Sequence, residues 1–145
     1  MAAPQTPPYP SAPPDIVLIE SETMLRLTMS KFLGRSGYRV TACPDVRSAV
    51  GMLARRALAP ALIVLAARKM DEDVAAAPQR LFEVAPGAPI LGVVDTVDTA
   101  APQVRTPGNL RLLAPPFDIP DVLRAIGSYL RHAGYRLPEP ELLEA

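Results

Sequence analysis

The stretch Pro60-Ala61-Leu62-Ile63-Val64-Leu65-Ala66 decides how this chain is read. Leu62 to Leu65 form a continuous apolar, partly β-branched run, bounded on the amino side by a proline. Such a run fits a strand covered on both faces, as in a parallel sheet. It ends at Ala66, a methyl group. In open α/β sheets the chemistry sits just past the carboxyl ends of the strands, so the residue at that point carries unusual weight. Two other strand-like runs end the same way: Ile90-Leu91-Gly92-Val93 at Val94, and Leu110-Arg111-Leu112-Leu113 at Ala114-Pro115-Pro116. Ile16-Val17-Leu18-Ile19 alone delivers an acid, Glu20. The frame of a reactive pocket is present, and most of its reactive groups are missing.

Strand and helix patterns alternate outward from this centre. Ser21 is placed to cap a helix running to about Phe32-Leu33, with Leu25, Met29, Phe32 and Leu33 on one face. Gly34 and Gly37 punctuate its end, and Tyr38–Ala42 fits a second strand. Asp45 caps a second helix whose inward face is Val46, Ala49, Val50, Leu53 and Ala57. After the third strand, a polar loop from Arg68 to Asp73 leads to a helix around Pro78–Val84. Pro86-Gly87-Ala88-Pro89 turns into the fourth strand, Ile90–Val94, and the fifth is Leu110–Ala114. The final helix runs from about Pro120 to His132, with Val122, Leu123, Ile126 and Leu130 inward and Gly134 as its C-cap. This alternation with short connections implies a single α/β domain, a doubly wound five-stranded parallel sheet with helices on both faces. Residues 95–109, with Pro102, Pro107, Gly108 and Asn109, predict a fourth helix that is short or absent.

Bulk properties narrow the function. The 145 residues suit one domain, and fifteen basic against fifteen acidic residues give no net charge, which disfavours nucleic acid as main partner. A single cysteine, Cys43, excludes an intramolecular disulfide and multi-cysteine zinc sites, and its place after the second strand reads as buried packing. No signal peptide is present, and no apolar run approaches the ~18 residues of a membrane span, which points to a cytoplasmic protein without membrane contact. Residues 1–14 carry six prolines and read as a disordered leader; residues 134–145 read as an acidic, flexible tail. There is no GxGxxG, P-loop or GxSxG, so no cofactor, metal or catalytic residue is expected.

The order of these elements, with Ile16–Glu20, Gly37-Tyr38-Arg39-Val40, Pro60–Leu65, Pro86–Ile90 and Pro116-Phe117-Asp118, resembles the receiver domain of bacterial response regulators. The resemblance covers roughly residues 15–133 and implies a flavodoxin-like sheet of strand order 2-1-3-4-5. It also implies phosphoryl transfer from a histidine kinase to an aspartate, with Mg²⁺ held by that aspartate and an acidic pair. Position by position, the chain departs from this. Glu20 keeps one acid of the pair and Ser21 loses the other. Ala66 stands for the phosphoacceptor, Val94 for the phosphate-gripping Thr or Ser, and Pro115 for the Lys. The losses are mutually consistent: Mg²⁺ lacks its oxygen ligands, and a lysine without its aspartate is an unpaired charge costing several kcal/mol.

Alternative carboxylates are weaker candidates. Asp71, Glu72 and Asp73 lie five or more residues past Leu65, a stretch of up to ~17 Å, and Asp95 directly follows Val94. Arg68 and Lys69 are placed to fold toward Glu20 and replace the missing cation. His132 is placed to complement the dipole of the last helix. In the receiver family, the start of the first helix and the loop before the last form the docking face, here Met24, Leu25, Pro116 and Phe117. The resulting expectation is a stand-alone pseudo-receiver, not an enzyme, that binds a histidine kinase, a phosphotransfer protein, another receiver or a second copy of itself. Two rival readings are a nucleotide-messenger sensor using Arg105 and Arg111, and a receiver phosphorylated at Asp95 or Asp71.

Overall fold

The computed structural model describes residues 14–56, 60–69, 72–96, 110–113 and 118–132. Five strands, β1 (Asp15–Ile19), β2 (Arg39–Cys43), β3 (Leu62–Lys69), β4 (Ile90–Thr96) and β5 (Leu110–Leu113), form one sheet of order β2-β1-β3-β4-β5. Every neighbouring pair is parallel. Four helices accompany it among the described residues: α1 (Thr23–Arg35), α2 (Val46–Ala54), α3 (Glu72–Val84) and α4 (Ile119–His132). This is the doubly wound parallel sheet that the sequence pattern predicts, in the flavodoxin-like strand order that the receiver resemblance implies.

The period-two alternation of strand side chains sorts the core into two layers. Ile16, Leu18, Leu62, Val64, Leu91 and Val93 face α1 and α4, where they meet Met29, Leu33, Val122, Ile126 and Leu130. Val17, Ile19, Ile63, Leu65 and Ile90 face α2 and α3, against Ala49, Leu53, Ala77 and Leu81. Both layers are buried, which is why the strands read as apolar runs without alternation.

Local sequence explains most boundaries. Asp45 accepts the Ser48 N–H at 2.7 Å and caps α2 as predicted. Asp118 and Asp121 cap α4 reciprocally, each backbone N–H donating to the other's carboxylate at 2.9 Å. At the end of α1, Tyr38 N–H reaches Leu33 C=O and Gly37 N–H reaches Gly34 C=O, a Schellman closure. Gly37 takes φ of 94°, which a residue without Cβ adopts freely.

Several predicted boundaries move. Ser21 does not cap α1; Glu22 holds that position, because the first helical bond runs from Arg26 N–H to Glu22 C=O. Helix α3 begins at Glu72 and continues through Pro78, where the sequence pattern places its start. Buried Ala77, Pro78 and Leu81 seat that helix on the sheet on both sides of the proline. Arg68 and Lys69 belong to β3, not to a loop, because the β3–β4 ladder continues through Ala67↔Val94 to Lys69↔Thr96. Phe32 is exposed, not inward; Leu25, Met29 and Leu33 form the buried stripe of α1.

The Pro-rich leader up to residue 13, the 97–109 connection, Gly134 and the acidic tail lie outside the described residues, as do Ala57, Asp71, Arg105 and Pro115–Phe117.

Candidate functional site

The crevice at the carboxyl ends of the strands follows from a difference in strand length. β1 stops at Ile19, paired with Leu65, while β3 continues for four more residues to Lys69. Ala66 and Ala67 therefore rise as a bare wall above the end of β1. A cleft opens on each side of this wall, and both alanines line both clefts.

The smaller cleft, about 190 Å³, lies on the α1/α4 side. Glu20, Leu25, Met29, Val93, Asp118 and Val122 contribute to its lining. Glu20 is 6% exposed and sits in the turn that leaves β1. Its backbone N–H donates to Cys43 C=O at 3.0 Å, and its carbonyl accepts from Arg26 Nη1 at 2.9 Å. Arg26 also reaches the Ser21 carbonyl at 3.4 Å, so one guanidinium fixes the backbone of the β1–α1 turn.

The larger cleft, about 530 Å³, lies on the α2/α3 side. Its floor is Ile19, Leu65, Ala66, Ala67 and Val74, and its rim includes Ser21, Asp45, Arg47, Arg68 and Arg80. Hydrogen bonds from Ser48 hold the Asp45 carboxyl below the usual carboxylate range, so it is ionised at neutral pH.

The predicted pocket positions are thus brought together in part. Glu20, Ser21 and Ala66 converge on the end of β1, and Val94 is buried beside Ala67 in the β3–β4 ladder. Of the two cations expected to turn toward Glu20, the Lys69 side chain lies outside the described residues and Arg68 turns elsewhere. Arg68 lies 3.6 Å from Glu22 instead, a pairing that no sequence pattern signals. Glu22 follows the turn and points outward, whereas Glu20 is turned into the fold. Asp95 lies inside β4 rather than after it, so the strand continues past the position where the rim was placed. Among the described residues, no three metal-binding side chains cluster. Of the expected docking residues, Met24 is 68% exposed, whereas Leu25 packs against the core; Leu27, at 59%, joins Met24 on the outer surface of α1. His132 Nδ1 donates to Ser128 C=O at 2.7 Å in the last turn of α4, where a basic group complements the helix dipole. No described helix is long and apolar enough to cross a membrane.

No protein-family model matches the sequence, and no curated protein matches it. Solved structures do. The receiver domain of the hybrid histidine kinase CckA superposes with a TM-score of 0.65 at 17% identity, covering 80% of this chain and 98% of that one. A receiver protein from Sinorhizobium medicae gives 0.66 at 22% identity, covering 83% and 96%. A CheY-like receiver from Methanospirillum hungatei gives 0.66 at 13%, also covering 83% and 96%. The fold is therefore that of the response-regulator receiver domain.

Proposed function

We propose that this domain is a pseudo-receiver: a protein-binding module of two-component or phosphorelay signalling that works without an aspartyl phosphate and without catalytic turnover. The observation that carries the reading is Ala66. It stands at the point of β3 where the receiver resemblance puts the phosphoacceptor, and its methyl group has no oxygen to accept a phosphoryl group. Val94, buried beside Ala67 in the ladder, has no hydroxyl to grip one. Ser21 on the rim supplies a neutral hydroxyl where Mg²⁺ needs a hard anionic oxygen.

With the switch chemistry gone, the signal passes through surface complementarity. Met24 and Leu27 leave a large part of their apolar surface to solvent on α1. Partners of this reading are a histidine kinase, a phosphotransfer protein or another receiver, in the cytoplasm. The receiver of CckA, a hybrid histidine kinase, shows one setting in which this fold operates.

The test is incubation with Mg²⁺ and acetyl phosphate, followed by intact-mass measurement. An unchanged mass is expected; appearance of a hydroxylamine-sensitive phosphoryl adduct overturns the reading. Binding to a candidate kinase or phosphotransfer partner should then be equal with and without acetyl phosphate, and should weaken in Met24→Glu.

A further inference from the structure

The larger cleft carries a charge pattern that the loss of a phosphorylation site does not require. Arg47 near the start of α2, Arg68 near the end of β3 and Arg80 on α3 all line it. Asp45 is the acidic residue among its described lining, and that carboxylate is already engaged by the Ser48 N–H at 2.7 Å. Among the described lining, three arginines against one ionised carboxylate leave a net positive rim. Beneath them the floor is aliphatic, and no aromatic side chain is among the described lining. The cleft's volume of about 530 Å³ suits a small molecule. It also lies between the carboxyl ends of β1 and β3, the point where the strand order reverses and where open α/β sheets take their ligands.

We infer that this cleft binds a small amphipathic anion, with an aliphatic body on the Leu65–Ala67 floor and a carboxylate or phosphate head held by Arg47 and Arg80. Arginine suits either head, because its planar fork donates two parallel hydrogen bonds to paired oxygens. Arg68 is a third contact. Its present partner, Glu22, is 3.6 Å away in an exposed pair, and such pairs contribute little, so the guanidinium is available to a ligand. A nucleobase is disfavoured because nothing in the described lining offers it a stacking face. The inference rests on the pseudo-receiver reading, since an aspartate at position 66 would set a like charge under the head group.

Isothermal titration calorimetry on the full chain with octanoate, octyl phosphate and octanol tests this. Saturable binding of at least one of the two anions is expected, and the tighter one identifies the head group. Octanol, with the same chain and no charge, should bind at least about tenfold more weakly. The double variant Arg47→Ala/Arg80→Ala should lose about tenfold in anion affinity at unchanged thermal stability, because both side chains are exposed. Glu22→Gln, which releases Arg68, should tighten binding. Equal binding of octanol, wild-type affinity in the double variant, or no saturable binding of either anion overturns the site. An acetyl phosphate adduct on the same sample fails the pseudo-receiver reading itself; missing anion binding without an adduct fails the anion site alone.

Discussion

Arg56 donates to the Asp15 carboxylate at 2.7 Å across 41 residues of sequence, and its second nitrogen donates to Thr41 Oγ1 at 2.7 Å. One guanidinium beyond the end of α2 thereby ties β1 to β2, the edge pair of the sheet. The contact is partly buried, so water screens it less than a surface pair. Arg56→Ala should lower stability by about 1–2 kcal/mol in urea unfolding. Arg56→Lys should recover part of that loss, because an ammonium can keep Asp15 but cannot fork to Thr41 as well. Full recovery in Arg56→Lys would show that the fork to Thr41 is irrelevant.

Cys43 sits at the carboxyl end of β2, buried beside the crevice. Burial pushes its thiol pKa up, Asp45 adds to the shift, and Arg56 and Arg26 oppose it. The folded state therefore holds the proton more tightly than the unfolded chain. The related stability is fully present below the unfolded value of about 8.5 and falls as pH rises toward the folded value. Native protein should react slowly with iodoacetamide at neutral pH and quickly once unfolded. In Cys43→Ala the decline in Tm between neutral and alkaline pH should be shallower.

Asp45 shows the opposite sign. Its lowered pKa means that capping of α2 persists above the ordinary aspartate value and is lost as pH falls through the folded value. Asp45→Asn retains an oxygen for the Ser48 N–H, so its Tm should stay near wild type at neutral pH and change less in acid. Asp45→Ala should lower Tm by a few degrees at neutral pH. Thermal melts at a series of pH values separate the two.

Placing an acid at position 66 tests directly whether the crevice can hold a cation. Ala66→Asp places a carboxylate on the wall that Glu20 also lines, with Ser21 in place of a second acid. Two carboxylates facing one small cleft repel, so Tm at neutral pH should drop by several degrees and recover at acidic pH. Adding Mg²⁺ should restore little in the single variant and more in Ala66→Asp/Ser21→Asp. Strong Mg²⁺ stabilisation of the single variant would show that the cation site survives.

Much of this molecule is legible in its residues. Continuous apolar runs separated by capped, periodic segments determine a parallel sheet covered on both faces, since only burial on both sides removes the need for alternation. Asp45 and the inward face of α4 are local matters of hydrogen bonding and period, and the sequence alone placed both correctly. The residue types at Glu20, Ser21 and Ala66 are visible in the same way. Their convergence at the end of β1 needed the tertiary structure, because that depends on β3 outrunning β1 and on which strands are neighbours.

Tertiary packing also decided matters that no local pattern could. Pro78 sits inside α3 because its neighbours are buried on the sheet, against its own preference for a helix start. Arg68 joins β3 because β4 extends alongside it, and it then reaches Glu22 rather than Glu20. Arg47, Arg68 and Arg80 come from three separate elements, and nothing in their spacing links them. These arginines meet because α2 and α3 pack side by side on one face of the sheet with β3 between them in sequence, so the basic rim of the larger cleft is a product of the fold.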